Sequence, residues 1–75
     1  MEQKIFEIII NIMNIKSDRI NRETDLFLDL EMNSFDIVNL ITEIEDQFNL
    51  EIFEKDIKGV KNIDDIIKVL KQKGV

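Results

Sequence analysis

The chain has 75 residues, 44% of them hydrophobic, and a formal net charge of -6, which sizes it for one small globular domain over residues 1–75 rather than for two domains or a disordered segment. It has no Cys and no His, which excludes disulfides, thiolate nucleophiles, Cys/His zinc centres and imidazole-based triads, and argues against an enzyme acting alone. The acidity disfavours nucleic acid as a partner, and the longest apolar run, Ile8-Ile9-Ile10, is too short for membrane insertion or a signal core, so a cytoplasmic monomer is the default expectation.

Ile5, Ile8, Ile9 and Ile12 recur at i, i+3, i+4 and i+7 and predict a first helix over residues 3–14. Phe6, Ile10 and Met13 widen its apolar stripe, so burial on more than one side is expected. Residues 15–33 keep no period, but Ile15, Ile20, Leu26, Leu28 and Leu30 stand among Ser, Asp, Asn and Thr. They predict a long loop pinned to the core by its own apolar residues, and loops of that length usually have a function. From Phe35 to Phe48 the positions of Ile37, Leu40, Ile41, Ile44 and Phe48 restore the helical period, with Asp36, Asn39, Glu43 and Asp46 on the opposite side and Glu45 beside them. A break over Asn49–Glu54 leads into a short turn ending near Gly59. Asn62 then reads as an N-cap with Asp65 at the third helical position, opening a last helix with Ile63, Ile66, Ile67 and Leu70 on its core face. Lys71 and Lys73 suit the C-terminal end of that helix, and Gly74 can close it. The expected fold is all-α, a small bundle of three main helices and one short helix with a long first connection.

Position says more than total charge. Residues 23–56 carry eleven acids and only Lys55 as a base, a net of -10, while both flanks are net basic. Such a block is either a solvated face that keeps a small protein in solution or a docking surface for basic partners. Within it, Ser34 stands where the loop meets the second helix, at backbone amides without intrahelical partners, a place that favours a phosphate ester. Either Ser34 or its neighbour Asn33 could equally be a plain N-cap. As a nucleophile Ser34 fails, with no His in the chain and no Lys near it in sequence. Asp29, Glu31 and Asn33 place oxygens at alternate positions, as the first half of a calcium loop would, but the sixth position is Ser34 rather than Gly and the twelfth is Leu40 rather than Glu. No metal site is therefore expected.

The run Asp29-Leu30-Glu31-Met32-Asn33-Ser34-Phe35-Asp36-Ile37-Val38 resembles the Asp-Leu-Gly-x-Asp-Ser-Leu-Asp-x-Val stretch of acyl carrier proteins. The likeness continues through Leu40, Ile44, Glu45, Asp46 and Phe48 to Glu51-Ile52, and the order and spacing of the elements extend it over the whole chain. It implies that Ser34 receives 4'-phosphopantetheine from coenzyme A through a phosphopantetheinyl transferase, and that the arm's thiol carries acyl groups as thioesters between enzymes. A chain without Cys would borrow its thiol this way. The resemblance also implies that Asp36, Glu45 and Asp46, together with the positions of Asn33 and Asn39, meet basic docking faces of partner enzymes. Ile37, Val38 and Leu40, which follow the Ser, would help form an apolar interior that shelters the cargo.

Four residues depart from the family pattern: Asn33 for Asp, Glu31 for Gly, Asn39 for Glu, and Phe53 where Pro often follows Ile. Two of them remove a recognition charge, and Ser34-Phe35 is similar to the Asp-Ser-Phe of D-alanyl carriers and of freestanding carriers. The departures point to a discrete acyl carrier of a specialised pathway rather than of bulk fatty-acid synthesis. An aminoacyl, D-alanyl or peptidyl carrier is the alternative within the family. An unmodified acidic interaction module is the alternative outside it.

Overall fold

Helix α1 (Glu2–Met13), a 3-10 turn (Ser17–Arg19), α2 (Ser34–Phe48), α3 (Glu54–Ile57) and α4 (Ile63–Gln72) follow one another in the computed structural model, which describes all 75 residues. Their stops are written in single residues. Asn14 and Asn49, both at φ 53°, end α1 and α2 in the left-handed region that Asn tolerates, and their N–H groups return to Ile10 O and Glu45 O. The next residues, Ile15 and Leu50, donate to the same two carbonyls. Past α4, Gly74 N–H bonds Lys71 O and Val75 N–H bonds Leu70 O, with Gly74 at φ 87°, so Gly74 does close the last helix.

The apolar stripes meet in one core of seven Ile, three Leu and Met32, and none of the five Phe is fully buried. Close packing therefore rests on branched aliphatic side chains. Helix α1 packs mainly on α2 and less on α4. Only Ile5, Ile8 and Ile9 of α1 are fully buried, while Phe6, Ile10, Ile12 and Met13 are half-buried, so the stripe is wide but its far side stays wet.

The long connection is more ordered than its lack of periodicity suggested. Asp25 pairs with Asn62 in an antiparallel bridge, Leu26 N–H bonds Lys61 O at 2.8 Å, and Asp64 N–H bonds Arg22 O at 2.9 Å. The loop is thereby fastened to the start of α4. Arg22 adds ion pairs to Glu2 at 3.2 Å and to Asp64 at 2.6 Å. Hydrogen bonds from Arg22 first, then Lys68, hold the Asp64 carboxyl below its ordinary range. Because the folded value is depressed, that support is present above the ordinary Asp pKa near 4 and is lost as pH falls through the lower folded value. Leu26 and Met32 are the anchors; Leu28, expected to help, is 83% exposed, because Asp25 Oδ1 takes the N–H of both Phe27 and Leu28 and curls the segment outward.

Glu31 sits at φ 55°, in the conformation where Gly has no steric cost. This explains why Gly is the residue expected there. Relief of that strain is offset in part by the greater unfolded freedom of Gly. Glu31→Gly should therefore stabilise the fold by up to about 1 kcal/mol, a rise in melting temperature of about 4–8 °C for a domain of this size. A melting temperature that falls would show that the Glu31 backbone is held without strain.

Candidate cofactor-attachment site

The start of α2 is built by a reciprocal cap. Asn33, extended at φ −98° and ψ 179°, accepts the Asp36 N–H on Oδ1 at 2.9 Å, and its own N–H donates to Asp36 Oδ2 at 3.2 Å. Asn33 is therefore the N-cap, and Ser34 is the first helical residue. The first backbone bond that α2 accepts comes from Ile37 N–H to Asn33 O, so the amides of Ser34 and Phe35 precede the ladder and have no intrahelical acceptor. Ser34 is exposed, and the capping bonds bypass its hydroxyl.

The other hydroxyls of the chain are differently placed. Thr24 is buried and accepts Asn21 N–H, Thr42 donates to Val38 O at 2.8 Å, and Ser17 opens the 3-10 turn. Ser34 alone combines exposure with an α-helix start, where free amides and the helix dipole favour a phosphate diester on Oγ.

Beside this start lies an apolar chamber of about 140 Å³ whose twelve lining residues are all hydrophobic, drawn from the loop (Leu26, Phe27), α2 (Ile37, Leu40, Ile41, Ile44), the α3 segment and α4. Ile37 and Leu40 line it as expected. Val38 does not: it is 60% exposed on the outer side of α2 together with Phe35 at 73%. One residue's shift along a helix turns a side chain about 100°, which carries Val38 out of the stripe.

A family model described as "Phosphopantetheine attachment site" matches residues 3–70. The acyl carrier protein of Syntrophus aciditrophicus is 35% identical over 75 residues, covering 100% of this chain and 94% of that one. The acyl carrier protein of Phytoplasma mali is 39% identical over 70 residues, covering 93% and 83%. Among solved structures, a Mycobacterium tuberculosis chain classed as an acyl carrier protein superposes with a TM-score of 0.86 at 30% identity over 96% of each chain. The chain belongs to the acyl carrier protein family. It is a carrier rather than an enzyme, its cofactor is covalent 4'-phosphopantetheine, and its family works with phosphopantetheinyl transferases and acyl-handling enzymes. The bound arm supplies the thiol on which cargo is held as a thioester. No helix of the carrier is long and apolar enough to cross a membrane.

The residues expected to meet partners are not gathered into one patch. Asp36 is engaged in the α2 cap. Asn39 is half-buried in a depression against α1, with Asn11, Glu43 and Gln47. Glu45 lies nine residues from Asp36, about two and a half turns and hence the opposite flank. Its Oε2 accepts Ile52 N–H at 2.8 Å, tying the chain past α2 back to the helix. Asp46 is exposed and makes no ion pair. Three of the five positions, Asn33, Asp36 and Glu45, thus have structural work that periodicity did not reveal, and Asp46 is the clean probe of docking. Asp29 Oδ2 accepts Asp25 N–H, and Asn33 Oδ1 caps α2.

Proposed function

We propose that residues 1–75 form one carrier domain whose 4'-phosphopantetheine is attached at Ser34, and that its cargo is an aliphatic acyl group of about six buried carbons. The observation that carries the reading is the wholly apolar chamber next to an exposed Ser at a helix start. A cavity of about 150 Å³ lined by aliphatic side chains stays dry and accepts a six-carbon guest. An aminoacyl group would bring an ammonium into a chamber with no polar lining residue, where desolvation opposes entry. This favours acyl over D-alanyl or peptidyl cargo. Docking on basic partner faces would use the exposed side of α2, with Asp46 as its charge and Phe35 and Val38 as its apolar contacts. Discrete action in a specialised pathway, as a cytoplasmic monomer, remains the reading that the composition and the Asn33 and Asn39 departures support.

Thermal melts of holo protein loaded with butanoyl, hexanoyl, dodecanoyl and D-alanyl groups test the cargo. Each buried methylene contributes about 0.8 kcal/mol, or several degrees in a domain of this size. Melting temperature should climb from butanoyl to hexanoyl, flatten by dodecanoyl, and stay at the unloaded value for D-alanyl. Identical melts for all four forms would remove the chamber from the function.

A further inference from the structure

The chamber has one weak wall. Ile52, Ile57 and Val60 close it from the α3 side, yet α3 spans only Glu54–Ile57 and contains no fully buried residue. A single helical turn has too few internal bonds to hold itself, so something outside must set its position. Helix α4 is a firm neighbour, with Ile63, Ile66, Ile67 and Leu70 all in the core.

The connection between the two is a cluster of three side chains. Lys73 Nζ stands 2.8 Å from Asp56 Oδ2, and the two side chains are 21% and 19% exposed, which makes this the most shielded ion pair of the molecule. The same Oδ2 accepts Phe53 N–H at 2.8 Å and so caps α3. The Phe53 ring lies 5.2 Å from Lys73 Nζ and 6.0 Å from Lys55 Nζ. Lys73 is itself fixed at the C-cap of α4, its N–H on the carbonyls of Val69, Leu70 and Lys71, where the helix dipole favours a cation. One carboxylate oxygen thus joins the first turn of α3 to the last turn of α4. The Asp56 carboxyl is held below its ordinary range first by the hydrogen bond from Lys73 and then by Phe53 N–H. Phe53, which stands where the family often has Pro, here supplies a ring to the cation.

We propose that Lys73 is a positioning residue that clamps α3 against α4 through Asp56 and Phe53, and thereby sets the size of acyl chain the chamber admits. The proposal rests on the reading that the chamber holds the cargo. The competing account is an ordinary surface ion pair, which contributes little and moves nothing.

Amide hydrogen exchange on the unmodified protein reads the clamp without any cargo. Lys73→Met keeps the apolar stem and removes the charge, and Asp56→Asn keeps an acceptor for Phe53 N–H while removing the attraction to Lys73. In both variants exchange at Asp56, Lys58 and Val60, whose amides bond Phe53 O, Glu54 O and Ile57 O, should quicken about tenfold, the size expected for losing a charge-assisted hydrogen bond. Exchange in α1 and α2 should not change, and Lys73→Arg should restore the parent rates. Parent-like exchange in the α3 segment of both variants, or an equal rise in every helix, would overturn the clamp. The second readout is hydrolysis of a C4 to C14 acyl thioester series: Lys73→Met should move the longest protected chain upward by at least two carbons and Lys73→Arg should not. An unmoved limit would overturn the control of chain length. If exchange responds while no chain is protected in any protein, the cargo reading of the chamber fails and the clamp stands.

Discussion

Ser34→Ala should abolish the gain of one phosphopantetheine when the protein is incubated with coenzyme A and a broad-specificity transferase. The cap explains why the loss should be clean. Asn33 and Asp36 make the bonds that start α2, and Ala at the first helical position is a good helix former, so stability should stay within about 0.5 kcal/mol of the parent. With no His in the chain and no Lys near Ser34 in sequence, the base for the hydroxyl proton is expected from the transferase. The remaining hydroxyls are poor substitutes: Thr24 is buried, Thr42 donates to Val38 O within its helix, and Ser17 lies on a 3-10 turn without an α-helix start. Intact mass with peptide mapping checks the result. A modified Ala variant would refute Ser34 as the attachment point, whereas an unmodified parent under the same conditions would refute carriage by this chain.

What could be read from sequence was what is local. The Asn62–Asp65 cap of α4 was legible because both partners lie within four residues and an apolar run follows. The same Asn-x-x-Asp spacing occurs at Asn33–Asp36 and makes the same pair of bonds. The family resemblance draws Asp36 toward partner recognition, and either Asn33 or Ser34 is chemically able to cap, so sequence alone does not single out this pair. The repeat of one spacing at two helix starts was the available signal. The sequence leads to one short helix before Gly59 but not to its bounds, since four residues cannot show a period. The bond from Ile52 N–H to Glu45, the pairing of Leu26 with Lys61 and the Lys73–Asp56 contact join residues brought together by chain reversal. No spacing rule reaches them. Residue type places Leu28 inward and the family resemblance places Val38 there, but the backbone around them turns both outward.

The pattern of departures gains physical content from this. Glu31 occupies a left-handed position, Phe53 roofs Lys73, Asn33 keeps the cap that an Asp would also form, and Asn39 faces the α1 side rather than open solvent. Asn33 and Asn39 each remove a charge relative to the family pattern and the exposed Glu31 adds one, while Phe53 changes none.

Ile9→Ala should leave the carrier largely unable to hold its fold at 25 °C. Ile9 is 0% exposed in α1, in the core that α2 and α4 share, and it is not among the chamber-lining residues. Truncating a buried Ile to Ala costs about 2–5 kcal/mol, because the lost transfer energy is joined by that of the void. A single core in a chain this small supplies only about 3–5 kcal/mol in all. The void is hard to fill here: its neighbours are β-branched or buried aliphatics with restricted rotamers, and no fully buried Phe is present to swing into the space. Val38→Ala, on the exposed side of α2, should stay within about 0.5 kcal/mol. Because the Ser34 amides are aligned only while α2 packs on α1, transferase modification of Ile9→Ala should slow in step with the folded fraction. Raising salt should restore part of both by screening the net charge of -6. Urea melts followed by circular dichroism, with modification rates measured on the same samples, make the comparison. An Ile9→Ala unfolding free energy within about 1 kcal/mol of the parent would show that α1 settles onto the void and that the margin of this core is wider than its size implies.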